Sequence, residues 1–157
     1  GQMQEMMKLH GVVPEGPVVI LGSGDLGLIM AKHLYEAAIP VAAIIEQKEA
    51  CGGMARNRQF LPESGIEVLC ERTVSEVRGS PRLEEVVLSD GRVIPCKTLL
   101  IAVGLRPDRT LAHNLEHKKW LHLCGNCSKI YPMVEGVIQD GRHAALRAIS
   151  ALSKKEK

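Results

Sequence analysis

The stretch VVILGSGDLG, residues 18–27, is the feature that most constrains how this chain can fold. Four aliphatic residues lead directly into glycines spaced as G-x-G-x-x-G. A helical pattern of apolar residues follows from Asp25 to Ala38, and a second apolar run, VAAII, ends at Glu46. A strand, a tight turn, a helix and a second strand in this order predict a parallel α/β sheet.

The glycine spacing predicts a dinucleotide-binding turn. The first glycine allows the chain to turn sharply out of the strand, the second lets a pyrophosphate approach the backbone, and the third lets the helix pack closely. A turn with a purely structural role is the alternative, and the strand, helix and acidic residue around it favour binding. The residues predicted to contact the cofactor here are Gly22, Ser23, Gly24, Asp25, Leu26 and Gly27.

Glu46 follows the second predicted strand, 24 positions after the first glycine. A carboxylate at this place accepts hydrogen bonds from the adenosine ribose hydroxyls, and the neighbouring Gln47 is predicted to share the contact. The same negative charge repels the 2′-phosphate of NADP, so the predicted cofactor is NAD(H). The alternative is an NADP site in which downstream cations reach the phosphate, namely Lys48, Arg56 or Arg58.

The composition excludes several classes of function. The net charge is +2 and aromatic residues make up only 3% of the 157 residues, so we predict no nucleic-acid binding. The apolar runs are too short to cross a bilayer and the first residues lack a signal-peptide pattern, which predicts a cytoplasmic protein with no membrane contact.

The five cysteines are scattered and odd in number, which predicts reduced thiols. Cys124 and Cys127 form a C-x-x-C motif, for which a redox dithiol and half of a zinc site are the alternatives. Zinc needs four ligands, and His113 and His117, four positions apart, are better explained as a solvated pair. We therefore predict no metal site.

Three motifs together resemble a known family. They are the glycine turn, the segment DGRVIPCKTLLIAVGLRPDRTL at 90–111, and the pair CGN and QDGRHAAL near the end. Over residues 11–150 the chain resembles the pyridine nucleotide-disulphide oxidoreductase superfamily, and within it the FAD-dependent NAD(P) oxidoreductases. In that family an NAD domain is inserted into an FAD domain. The resemblance implies an antiparallel meander and a last strand that ends in a Gly-x-x-Pro turn at 104–107.

The resemblance also implies further contacts with cofactors. The backbone of Ala102, Val103 and Gly104 is implied to lie near the nicotinamide. Gly125 and Asn126 match a Gly-Asp pair whose carboxylate, in the wider superfamily, hydrogen-bonds the ribityl chain of FAD. Asn126 keeps one acceptor without the charge, so a weaker contact is expected. A helix over 132–148 would then return to cover the flavin.

The predicted fold is therefore α/β, a Rossmann-like βαβ parallel sheet with helices on both faces and an antiparallel β-meander as a lid. A C-terminal helix belonging to a split FAD domain completes it. The predicted organisation is a lead-in linker over 1–16, an NAD(H)-binding domain over 17–112, a trailing FAD-domain segment over 113–150 and a frayed tail over 151–157. The segment WLHLCGN, residues 120–126, predicts a short strand and a turn.

The low aromatic content and the start at Gly1 indicate a piece of a larger protein, and the family's first FAD-binding glycine loop belongs upstream of residue 1. We expect an NADH-binding domain that positions nicotinamide for hydride transfer to FAD held by an N-terminal half, and that is inactive alone. That half is the expected partner, and a homodimer through an apolar stripe is also expected. The stripe comprises Ile130, Met133, Val134, Val137 and Ile138. A stand-alone NAD-sensing or partner-binding module without catalysis is the alternative function.

Overall fold

The computed structural model describes residues 2–153, which divide into one compact unit that ends at Gly104 and a second that begins at Leu105. The helices are α1 (Gln2–Leu9), α2 (Asp25–Glu36), α3 (Ala55–Arg58), α4 (Leu61–Ser64) and α5 (Val134–Ser153). The strands are β1 (Val18–Leu21), β2 (Val41–Ile45), β3 (Val68–Leu69), β4 (Val74–Arg78), β5 (Glu85–Leu88), β6 (Val93–Pro95) and β7 (Thr98–Ile101). The division after Gly104 lies earlier in the chain than the boundary predicted after residue 112.

The first unit contains a parallel sheet of four strands in the order β3-β2-β1-β7. An antiparallel sheet of three strands, β4-β5-β6, is inserted between β3 and β7. The predicted α/β fold with a βαβ unit and a β-meander is confirmed. Leu21 pairs with Ile45 of β2 and with Ile101 of β7, so the carboxyl ends of these three strands lie side by side.

The two faces of the parallel sheet are covered by different kinds of structure. On one face, alternate strand residues such as Val18 and Ile20 pack against Leu28 and Leu34 of α2. On the other face, Val19 and its neighbours pack against β5 and β6 of the antiparallel sheet. The prediction of helices on both faces is therefore wrong, because the apolar side of the meander fills the place that a second layer of helices would take.

Residues 1–16 were expected to form a linker, but the structure contains helix α1 there. Met7 packs against the core on the α2 face of the sheet, and Gln4 Nε2 lies 3.3 Å from His33 Nδ1. The Met-rich sequence thus forms one amphipathic helix with a side that packs on the unit.

The second unit consists of extended and turn segments followed by α5. Residues 121–124 form no strand, because the described part of this unit contains no other strand to pair with. Residues 125–127 form a short 3-10 turn instead. Helix α5 begins at Val134 and ends at Ser153, two residues later and five residues beyond the predicted 132–148, and Ala144 is its one buried residue. Of the tail predicted to fray, residues 154–157 lie outside the described residues.

Candidate functional site

The predicted glycine turn lies at the edge where β1, β2 and β7 end. The Gly22 N–H donates to Ile45 O at 2.7 Å, and the Ala102 N–H donates to Leu21 O at 2.7 Å. These two bonds hold the turn between the last residues of its neighbouring strands. In open parallel α/β sheets, ligands bind outside this carboxyl edge.

The three glycines of the turn are required for different reasons. Gly22 has φ +107°, and a Cβ built on it would lie 2.5 Å from Ala102 O. A Cβ on Gly27 would overlap Gly22 O. Gly24 has φ −65°, and a Cβ there would meet no atom within 4 Å. The protein's own packing therefore dictates the first and third glycines, whereas the second faces open space that a ligand can approach.

Helix α2 begins directly after Gly24, which provides no side-chain cap. The N–H groups of Asp25, Leu26 and Gly27 stand in the first turn, where an α-helix has no internal acceptors for them. The positive end of the helix dipole lies at the same place. A pyrophosphate fits this donor set, because it supplies acceptors and negative charge where both are stabilised.

Glu46 is almost fully buried beside the turn, with 9% of its surface exposed. Its Oε2 accepts hydrogen bonds from the Ser23 N–H at 2.9 Å and the Ser23 hydroxyl at 2.6 Å, and its Oε1 accepts from the Lys48 N–H at 3.0 Å. Burial alone would raise the pKa of this carboxyl, but the donors of Ser23 and Lys48 outweigh it and hold the pKa below its ordinary value.

These bonds make the stability contributed by Glu46 dependent on pH. A carboxyl whose pKa is lowered by folding stabilises the protein fully above its unfolded pKa, ordinarily 4.5, and loses that contribution as the pH falls through the folded value. In urea unfolding, we expect the free-energy difference between the parent chain and Glu46→Gln to be constant from pH 7 to 5 and to shrink below about pH 4.5. A difference that stays constant down to pH 3 would contradict this.

Ser23 has a role that its place in the motif did not predict. Its side chain is fully buried, and its hydroxyl donates to Glu46 while accepting the Gly52 N–H at 2.7 Å. One hydroxyl therefore links the glycine turn, the end of β2 and the loop after β2. The only sequence signal was a small hydroxyl residue between two glycines.

The other predicted residues fall into two groups. Gln47 is exposed next to Glu46, Ala102 is half-buried, and Val103 and Gly104 are exposed at the end of β7, where Gly104 has φ +131°. Together with the glycine turn and Glu46 they belong to the first unit. Gly125 and Asn126 belong to the second unit, which is described by itself.

In the second unit, the pair expected to touch FAD is engaged in local hydrogen bonds. Gly125, at φ +65°, donates its N–H to Asp140 Oδ2 at 2.8 Å. The exposed Asn126 accepts the Tyr131 N–H on its Oδ1 at 3.1 Å. The amide N–H₂ of Asn126 remains available as a donor. Its Oδ1 also keeps a second acceptor site, so the acceptor contact expected from the resemblance stays a prediction.

Cys124 of the C-x-x-C motif precedes the 3-10 turn and Cys127 is its last residue, with Cys127 Sγ 2.8 Å from Cys124 O. All five cysteines are free thiols. Among residues 2–153, no three His, Cys, Asp or Glu side chains are close enough together to hold a metal ion. Within the same residues, no helix has the length and apolar character needed to cross a bilayer.

Comparison with known proteins relates most of the chain to one family. The sequence profile of the pyridine nucleotide-disulphide oxidoreductases matches residues 4–122. One subunit of the opine oxidase of Agrobacterium tumefaciens is 30% identical over 133 residues, which are 72% of this chain and 26% of that protein. Nitrite reductase (NAD(P)H) of Bacillus subtilis is 30% identical over 99 residues, 59% of this chain and 12% of that protein.

A solved structure shows the same fold. Thioredoxin reductase of T. acidophilum superposes with a TM-score of 0.66 at 21% identity, over 85% of this chain and 52% of that one. The chain spans about a quarter or less of the length of the two curated relatives. The resemblance inferred from the three motifs is confirmed at the level of family and fold.

Proposed function

The chain belongs to the pyridine nucleotide-disulphide oxidoreductase family, and on this premise we propose that it is the NADH-binding part of a flavin-dependent oxidoreductase. The strongest support is the position of Gly24. A Cβ there would meet no protein atom, whereas the glycines before and after it in the motif, Gly22 and Gly27, are required by the fold. A turn with only a structural role has no need for a glycine at the one position where a side chain would meet no protein atom.

The proposal gives each part of the site a distinct task. The N–H groups of the first turn of α2 bind the diphosphate, Glu46 holds the adenosine ribose, and the backbone from Ala102 to Gly104 borders the nicotinamide. Nicotinamide and flavin, when bound, supply the hydride chemistry, and the protein supplies orientation and electrostatics. Glu46 has acceptor capacity left for ribose, because each carboxylate oxygen offers two lone-pair sites.

Preference for NADH over NADPH rests on the charge of Glu46. The donors of Ser23 and Lys48 keep this carboxyl ionised at neutral pH, as the lowered pKa indicates. A 2′-phosphate on the ribose would be placed against that negative charge. The cations Arg56 and Arg58 are exposed on α3 and do not pair with Glu46, so its charge is available to repel the phosphate.

The second unit supports a role inside a larger flavoprotein. Helix α5 buries Ala144 and exposes a set of apolar side chains: Val134, Ile138, Leu146, Ile149 and Leu152. The proposed cover for this face is the FAD-binding half expected to precede the chain, and a second copy of the chain is the other proposed occupant.

Calorimetric titration of the chain with NADH, NADPH and FAD tests the proposal. We expect NADH to bind in the micromolar range, NADPH to bind about tenfold more weakly or worse, and FAD not to bind, since a tenfold difference needs only about 1.4 kcal/mol of charge repulsion. Tighter binding of NADPH would contradict the role of Glu46. Absence of binding by both nicotinamide cofactors would contradict the proposed function itself.

A further inference from the structure

Asp25 is an unexpected residue in a phosphate-binding turn. It is the first residue of α2, immediately after the glycine that faces open space. A carboxylate there is stabilised by the helix dipole, but it adds negative charge where phosphates would approach. The hydrogen bonds that this carboxylate accepts from the segment after β2 account for its presence here.

The Asp25 carboxylate is engaged by the loop that follows β2. Its Oδ1 accepts the Met54 N–H at 2.7 Å and the Asn57 Nδ2–H at 2.7 Å. Both bonds lower the pKa of Asp25, and the bond from the Met54 N–H has the larger effect. The positive charge of Arg56 lowers this pKa further. One oxygen of Asp25 therefore joins the start of α2 to the start of α3.

Two glycines let the same loop lie directly on the turn. Gly52 donates its N–H to the Ser23 hydroxyl at 2.7 Å. Gly53 has φ +69°, and a Cβ there would lie 2.6 Å from Leu28 Cδ1 and 3.1 Å from Asp25 Oδ1. Two side chains of the glycine turn thus fix the loop at Gly52 and Met54, and they fix α3, which carries the two arginines, at Asn57.

We propose that the Asp25 side chain has a positioning role in the nucleotide site: its carboxylate holds residues 51–58 against the glycine turn and does not itself contact the cofactor. This inference rests on the proposed function. The anchored loop keeps the positive charge of Arg56 close to the carboxylate of Asp25. Without the anchor, the loop and its cations are free to move away from the phosphates.

Two substitutions of Asp25 separate positioning from simple charge repulsion. Asp25→Ala removes both the charge and the acceptor, whereas Asp25→Asn removes the charge and keeps an oxygen for Met54 and Asn57. We expect ADP-ribose to bind Asp25→Ala about tenfold more weakly, as the loss of one to two net hydrogen bonds implies. We expect Asp25→Asn to bind it as tightly as the parent chain or more tightly. If Asp25 acted only by repelling phosphate, both variants would bind more tightly.

Amide hydrogen exchange provides a second readout that does not depend on any ligand. Exchange at Met54 should be about tenfold faster in Asp25→Ala and near the parent rate in Asp25→Asn, because only the alanine variant loses the acceptor. If Asp25→Ala does not fold, Asn57→Ala, which removes one of the two bonds, should still weaken ADP-ribose binding about threefold.

The outcomes distinguish this inference from the proposed function. A parent chain that does not bind ADP-ribose would overturn the proposed function and this inference with it. A parent chain that binds, together with Asp25→Ala that binds equally or more tightly, would overturn the inference alone. Failure of Asp25→Asn to restore binding and protection of Met54 would also overturn it.

Discussion

Replacing Gly27 with alanine is expected to lower the free energy of unfolding by about 3 kcal/mol, because the new methyl group overlaps a backbone oxygen. The atom that it meets is Gly22 O, within a turn that hydrogen bonds hold between β2 and β7. Neither partner is the flexible end of a side chain, so relief requires α2 to move off the sheet. Chemical denaturation of the parent chain and the variant measures the change.

Gly24→Ala is the matched control in the same turn. Its methyl group meets no protein atom and φ −65° suits alanine, so the lower entropy of the unfolded chain offsets the loss of a favourable N-cap residue, and stability should change by less than about 1 kcal/mol. Binding of NADH should nevertheless weaken about tenfold or more, because the methyl group enters the space assigned to the diphosphate. Equal stability of the two variants would contradict the assignment of Gly27 to packing. Unchanged NADH binding by Gly24→Ala would contradict the assignment of Gly24 to the ligand.

Replacing Glu46 with alanine is expected to have the second largest effect, a loss of about 2–3 kcal/mol in the free energy of unfolding. The substitution removes the acceptor of both the N–H and the hydroxyl of Ser23, whose side chain has no access to water. Buried donors left without partners carry the full cost of their desolvation. NADH binding should be lost at the same time, because the ribose loses its acceptor.

Two comparisons make the Glu46 result specific. Glu46→Gln keeps one oxygen to accept the Ser23 donors, so it should lose only about 1 kcal/mol. Glu84→Ala removes the same charge from an exposed position and should change stability by less than about 0.5 kcal/mol. If Glu46→Ala were as stable as Glu84→Ala in chemical denaturation, the buried bonds of Ser23 would not hold the site together.

The sequence was sufficient for the parts of the fold that depend on local pattern. The aliphatic run before Gly22, the helix after it and the acid after β2 are close together in sequence, and each has a recognisable period or spacing. The sequence predicted a parallel sheet, whereas its strand order, β3-β2-β1-β7, depends on pairing between segments that are distant in the chain. The family and the fold could be recognised from the three motifs because each motif also consists of residues that are close together in sequence.

The sequence was insufficient where the outcome depends on contacts between distant residues. The bonds of Ser23 to Gly52 and of Asp25 to Met54 and Asn57 join residues 29 or more positions apart, and no period signals them. Likewise, the alternation of apolar and polar residues in the meander predicts that one of its sides is apolar. It does not predict that this side packs against the parallel sheet. The short strand predicted within residues 120–126 did not form, because pairing, and not propensity, decides whether an extended segment becomes a strand.

The pairing of β1 with β7 has a consequence for how the protein folds. Val18 pairs with Thr98, 80 positions further along the chain, after the whole antiparallel sheet has intervened. Closing so long a loop is entropically costly, and contacts of this separation form slowly. Gly22 meets Ala102 only when that closure is complete, so a chain that ends before β7 lacks one side of this turn. A nucleotide bound there would therefore raise the stability of the entire sheet and not of one loop.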